Sequence, residues 1–197
     1  MAGTNNEVIG TPKNIQILEM PEVLKGYREK GFESRIRIPV KSPLGGECLE
    51  YTNITSDFYN MRNVNTPKEH MHQALDIVPT KSYYSNNQAY RLTNGDIILF
   101  ATIDGEVIFS DDSDKAAGLN VRIINDNGDL EVGYAHLKTS FVRTGDYVQA
   151  GIPIGVMGTT GTASTGVHVH YWVAEILYEG SWPEPVDPLP YILSACN

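Results

Sequence analysis

Residues able to do acid–base or metal chemistry are concentrated in a few places along this chain. Its five histidines fall in three short clusters: His70 and His72 with Asp76, His136 alone, and His168 with His170. In Val167-His-Val-His-Tyr-Trp-Val173 the β-branched and aromatic neighbours predict a strand, and residues i and i+2 of a strand share a face. Two imidazoles therefore converge on one spot. In His72-Gln-Ala-Leu-Asp76 an offset of four puts imidazole and carboxylate on one side of either a strand or a helix. That pair is half a zinc site. A histidine from the second strand brings the protein ligands to three and leaves a fourth tetrahedral position for water, the pattern of a catalytic rather than a structural zinc. No HExxH occurs, which excludes a helix-borne zinc site of that type. His70 reads as a hydrogen-bonded surface residue, because His72 already has the spacing to Asp76.

The elements that must position these groups read as β. Ile36, Ile38 and Val40 alternate with Arg35, Arg37 and Lys41 around Pro39, as in an edge strand. Further strands are expected at 96–103, ahead of an Asp104-Gly105 turn, then at 106–109, 121–124 and 130–134. Asn127-Gly128 between the last two gives a hairpin signal, since both residues tolerate positive φ. Gly145, Gly151, Gly155 and Gly158 read as turn formers between later short strands. No long amphipathic helical period appears, so the body is expected to be an antiparallel β architecture. Residues 80–94, polar and tyrosine-rich, read as a surface loop. Residues 1–34 carry a mixed-charge segment at 21–30 that reads as one helix after an irregular start; they form an arm, with the domain proper at 35–197.

In order along the chain stand Ser56-Asp-Phe-Tyr-Asn-Met-Arg62, His72-Gln-Ala-Leu-Asp76, Asp104-Gly-Glu-Val107, Tyr134-Ala-His-Leu137, Gly145-Asp-Tyr-Val-Gln-Ala-Gly151, and Gly158-Thr-Thr-Gly161 followed by His168-Val-His170. This series resembles the lysostaphin-type, LytM-like zinc metalloendopeptidases of bacterial cell walls over roughly residues 36–188. The resemblance implies a mainly β fold, a small antiparallel sheet with a groove walled by loops. It implies one Zn2+ per chain held by His72, Asp76 and His170, with His136 and His168 as the catalytic pair. Arg62 and Tyr134 are candidates for substrate contact or support. The substrate class it implies is the stem or cross-link peptides of peptidoglycan. The chain departs from the family pattern at Ala74 and Tyr59, where glycine is usual, by one extra residue before Arg62, and by the longer stretch at 80–94. Some relatives of this type have lost ligands and act only as activators or structural proteins; here no ligand position is missing.

Composition narrows the setting. With 197 residues, 41% of them hydrophobic and 20% charged, the chain is long enough to bury on the order of 70% of its unfolded surface without a metal or disulfide framework. Cys48 and Cys196 are far apart and show no CxxC spacing, so they read as isolated thiols, structural or incidental. A net charge of -9, from 15 basic against 24 acidic side chains, argues against nucleic acid or an anionic membrane surface as partner. Nor is a basic, wall-clinging free enzyme expected from that charge. The first residues lack a basic cluster and an apolar run, and no stretch of about 18 apolar residues occurs, so neither a secretory signal nor membrane insertion is expected. The expectation is synthesis in the cytoplasm and action on the cell envelope, which suits a bacteriophage enzyme carried on the virion or released at lysis, with residues 1–34 contacting other virion proteins.

Overall fold

The computed structural model describes residues 40–86 and 96–196, all within the compact unit Arg37–Asn197. The strands are β1 (Thr52–Ser56), β2 (Met61–Arg62), β3 (His70–Met71), β4 (Leu75–Pro79), β5 (Ile98–Phe100), β6 (Gly105–Asp111), β7 (Asn120–Ile124), β8 (Leu130–Ala135), β9 (Leu137–Ser140), β10 (Tyr147–Val148), β11 (Pro153–Met157), β12 (Val169–Glu175) and β13 (Glu184–Val186). Two six-residue helices, α1 (Lys81–Asn86) and α2 (Leu189–Ser194), complete the described elements. The architecture is mainly β, as expected, and every strand pairing among the described residues is antiparallel.

The principal sheet runs β1-β4-β12-β8-β7-β6-β10, with β13 also paired to β12. On β12, residues 169–171 pair with β4 and 173–175 with β13, while 170–175 pair with β8 on the other edge. Alternation divides the strand between two environments. Val169, Tyr171 and Val173 are fully buried in the core with Val132, Tyr134, Val121 and Ile123, each aliphatic side chain contributing about 2 kcal/mol by leaving water. His170, Trp172 and Ala174 point the other way. A smaller sheet, β5-β11-β9, packs on the core side through Leu99, Leu137 and Ile154. At its end Gly158 comes so near β9 that a Cβ there would lie 2.4 Å from the Lys138 amide nitrogen. Close approach, more than turn geometry, is what this glycine provides.

The hairpin between β7 and β8 is present. The Gly128 amide donates to the Asn125 carbonyl at 2.9 Å, and Gly128 alone of the Asn-Gly pair takes positive φ, +68°. Other expectations are corrected. The stretch at 80–94 is not simply a surface loop: the Thr80 hydroxyl accepts the Tyr83 amide and opens α1, which sinks Tyr83 fully into the core. There its hydroxyl accepts the Ile98 amide. The strand expected at 96–103 is confined to Ile98–Phe100. Of the edge strand expected at 35–41, only Val40 and Lys41 are described, and they are not in a strand. The arm at 1–34 with its expected helix, and the rest of the 80–94 segment from 87 onward, lie outside the described residues.

Cys48 and Cys196 are not isolated thiols; they are joined in a disulfide across 148 positions. Sequence spacing carried no hint of this, because the pairing depends on α2. That helix buries Tyr191 and Ile192 in the same core as Val40, Leu44 and Tyr51, which returns the last residues to the segment around Cys48. On a chain-entropy basis a closed loop of this size is worth about 5 kcal/mol.

Candidate metal centre

Register assembles the site. Across β1, β4 and β12, Ser56 pairs with Asp76 and Asp76 with His170, and His170 pairs in turn with Ala135 of β8. Asp76 lies between Leu75 and Ile77, both fully buried, so alternation turns its carboxylate to the open face. His72 precedes β4. Its amide donates to the Asn60 carbonyl at 2.7 Å, and its Nδ1 donates to the Asp57 carbonyl at 2.8 Å. A carbonyl only accepts, so Nδ1 carries a hydrogen and, in the neutral ring, the lone pair of Nε2 faces Asp76.

Three atoms consequently meet: His72 Nε2, Asp76 Oδ1 and His170 Nδ1, with separations of 3.1, 3.0 and 3.1 Å. A single hydrogen on His170 cannot serve both acceptors fully, whereas one cation can serve all three. The edges are close to the roughly 3.3 Å expected between ligands of a tetrahedral zinc with 2.0–2.1 Å bonds. The donor set therefore fits zinc, and it is the one such group among the described residues. Burial alone would raise the Asp76 pKa, but His170 and His72, when their rings are protonated, outweigh it through hydrogen bonds and charge and hold the carboxyl well below the usual range.

Arg62, on the short β2–β3 ribbon, places Nη2 2.5 Å from Asp76 Oδ2 and 3.0 Å from Ser56 Oγ. Ser56 Oγ also lies 3.0 Å from Asn60 Nδ2 and 3.3 Å from His72 Nδ1. These contacts hold the backs of two of the three converging groups.

His136 and His168 complete the cluster, their rings 4.9 Å apart. Each donates Nδ1–H to a backbone carbonyl, that of Thr160 or Gly166, at 2.8 Å, so Nε2 is left basic in both. His168 Nε2 is 3.6 Å from Asp76 Oδ1. His136 sits at the bend from β8 to β9 with φ of +66°, a left-handed conformation costing about 1 kcal/mol in a non-glycine residue. The bend is held by bonds from the His136 and Leu137 amides to the Ala117 and Leu119 carbonyls. Burial pushes the His136 imidazole below its ordinary pKa against the Thr160 bond, and the neighbouring imidazoles add to the depression.

The groove containing these groups has a volume of about 660 Å³. His70 lies on its rim, exposed, with Nδ1 bonded to the Lys68 carbonyl at 2.8 Å and outside the converging triad. Tyr134 is elsewhere: fully buried, its hydroxyl accepts the Thr102 amide and bonds the Thr102 hydroxyl, both at 2.8 Å. It underlies the sheet and does not line the groove. Sequence reasoning missed Thr160, whose carbonyl orients His136 and whose hydroxyl bridges the Leu119 amide and Leu137 carbonyl; its place inside Gly158-Thr-Thr-Gly161 was the available signal.

Residues 86–188 match the model of "Peptidase family M23". The murein hydrolase activator NlpD of Escherichia coli is 39% identical over 94 residues, 48% of this chain and 22% of that protein. Lysostaphin of Staphylococcus simulans is 33% identical over 95 residues, 48% of this chain and 19% of that protein. The chain thus matches about a fifth of the length of these relatives. The solved catalytic domain of Staphylococcus simulans lysostaphin superposes with a TM-score of 0.54 at 23% identity, covering 72% of this chain and 92% of that one. The fold is of the lysostaphin type.

Proposed function

Because this chain belongs to peptidase family M23, and because His72, Asp76 and His170 turn three donor atoms on one point, we propose that it is a zinc-dependent endopeptidase. Its proposed substrates are the stem or cross-link peptides of bacterial peptidoglycan. The convergence of those atoms, with one hydrogen among them while both rings are neutral, is the observation that carries this reading. Zinc, when held by His72, Asp76 and His170, supplies a Lewis acid that polarises a peptide carbonyl and acidifies water. The other steps belong to the chain. His136 and His168, each fixed by a backbone carbonyl at Nδ1, present Nε2 to the groove to take a proton from the attacking water and return one to the leaving amine. Arg62 holds Oδ2 of Asp76 so that Oδ1 keeps its aim.

The Cys48–Cys196 disulfide supports action outside a reducing cytoplasm, in keeping with a cell-envelope substrate. An acidic chain with a segment ahead of the domain suits delivery by a phage particle, with residues 1–34 as the attachment segment; detection of the chain in purified virions tests that setting. Among the described residues no helix is long and apolar enough to cross a membrane.

A second reading, that the protein activates another hydrolase or is structural, is favoured by its 39% identity to a protein named as a murein hydrolase activator. One experiment separates the two. The purified protein, assayed for zinc and then incubated with purified walls, should contain one zinc per chain and release peptide-cleaved fragments visible by mass spectrometry. Chelator should stop release while leaving the circular dichroism spectrum unchanged. No zinc uptake and no cleavage would assign the protein to the activator class.

A further inference from the structure

The open face of the principal sheet carries a second cavity, of about 350 Å³, that the proposed peptide chemistry does not use. It shares Asp114, Ala117, Trp172 and Pro185 with the groove, so the two are neighbouring compartments of one surface. Its floor is built across three strands. Gly133 pairs with Trp172 on one side and Arg122 on the other, and a Cβ at Gly133 would lie 1.9 Å from Trp172 Cζ2. The indole therefore lies flat over the glycine. Its Nε1 donates to Glu131 Oε1 at 3.2 Å, and Glu131 is gripped at two points by Arg122, Nε at 2.9 Å and Nη2 at 2.6 Å.

The groups left over define the ligand. Glu131 cancels the charge of Arg122, and Asp114 adds a negative one, so the cavity is poorly suited to a carboxylate. Strands β12, β8 and β7 are paired on both edges and offer no backbone ladder to an extended peptide. What the cavity offers is one spare donor, one spare acceptor and a flat apolar surface. Arg122 Nη1 has no partner among the described residues. Asn120 is 3% exposed; its Nδ2 donates to the Gly118 and Asp111 carbonyls, which leaves Oδ1 as an acceptor without a partner among the described residues. Trp182 is 89% exposed and lines the cavity beside Pro183 and Pro185.

A pyranose ring has this complementary form: an apolar C–H face for an aromatic plane, rimmed by hydroxyls that both donate and accept. The volume, at the low end of small-molecule sites, suits one ring. We propose that this cavity binds a sugar residue of the glycan strand that carries the peptide, and so selects glycan-linked substrate. The proposal rests on the endopeptidase reading of the adjoining groove.

Trp182 is the residue to change, because at its exposure truncation removes no core packing. Two substrates with the same peptide are compared, one carrying its disaccharide and one stripped of sugar by an amidase. Trp182→Ala should raise KM for the sugar-bearing substrate about three- to tenfold, the worth of one aromatic contact, with kcat unchanged and the stripped substrate unaffected. Trp182→Phe should restore most of the loss. Independently, a tetramer of N-acetylglucosamine should quench wild-type tryptophan fluorescence saturably, and Trp182→Ala should weaken that binding. Equal loss on both substrates would make the cavity a peptide subsite and overturn the proposal, as would no loss on either or absence of oligosaccharide binding. If the wild type cleaves neither substrate the endopeptidase reading fails, and the oligosaccharide titration still decides the sugar site.

Discussion

The two compartments of the groove handle polar groups in opposite ways. Around Asp76, acceptor atoms face one another at 3.0–3.1 Å with too few hydrogens to go round. Around Glu131 the charges satisfy one another: Arg122 clasps both carboxylate oxygens and Trp172 adds a third bond, which leaves only Arg122 Nη1 and Asn120 Oδ1 to spare among the described residues. Both clusters are half-buried and rich in aromatic or charged side chains. The difference is unsatisfied bonding capacity. A cluster short of hydrogens suits a cation, whereas one whose charges are paired within the protein suits a neutral ligand.

The largest expected effect breaks the unsatisfied end. His170→Ala or Asp76→Ala should leave no zinc by elemental analysis and reduce wall cleavage to background, while the fold persists. A full equivalent of zinc retained by either variant would show that the converging atoms are not the metal site.

Next comes the division of labour among the histidines. His136→Ala and His168→Ala should each keep zinc and lose roughly 10²–10⁴ in turnover, the usual worth of a positioned acid or base. His70→Ala should change neither. Zinc lost with His168→Ala would move that residue, already 3.6 Å from Asp76, into the ligand set.

At the satisfied end the effect is on stability. Arg122→Met leaves Glu131, 2% exposed, without its cation, and should cost about 2–3 kcal/mol in denaturant melts, below the usual value for a buried pair because Arg122 is partly solvated. The double change Arg122→Met with Glu131→Leu should recover most of this. If the single change were silent, the floor would not depend on the pair.

The same contrast explains what the sequence disclosed. The convergence around Asp76 was legible because its groups sit close in the chain: His72 with Asp76, His168 with His170, and alternation along β12 puts two imidazoles on one face. The satisfied end was not, since Arg122, Glu131 and Trp172 meet only through the register of β7, β8 and β12. Cys48 with Cys196, and Thr160 with His136, were hidden for the same reason. Tyr83 and Tyr134 look like surface or site tyrosines in a polar stretch or motif, yet each hydroxyl finds a backbone amide inside the core. Such pairings depend on long-range contacts that no local period encodes.

The smallest effect tests the link from the sheet to the metal end. Arg62 is 39% exposed and touches Asp76 through Oδ2, the oxygen turned away from the imidazoles. Its charge and direction fix the carboxylate without adding a ligand, so Arg62→Ala should weaken zinc roughly 10- to 100-fold. Turnover should return when zinc is raised to saturation. Arg62→Lys should restore only part of the affinity, because an ammonium is a point charge and cannot bridge Asp76 and Ser56 in one planar contact. A competition titration against a chelator of known affinity measures the first quantity, and turnover at saturating zinc the second. Should Arg62→Ala bind zinc normally yet turn over slowly at saturation, Arg62 would be a substrate contact on the groove wall, and the metal end would owe its geometry to Ser56, Asn60 and the Asp57 carbonyl alone.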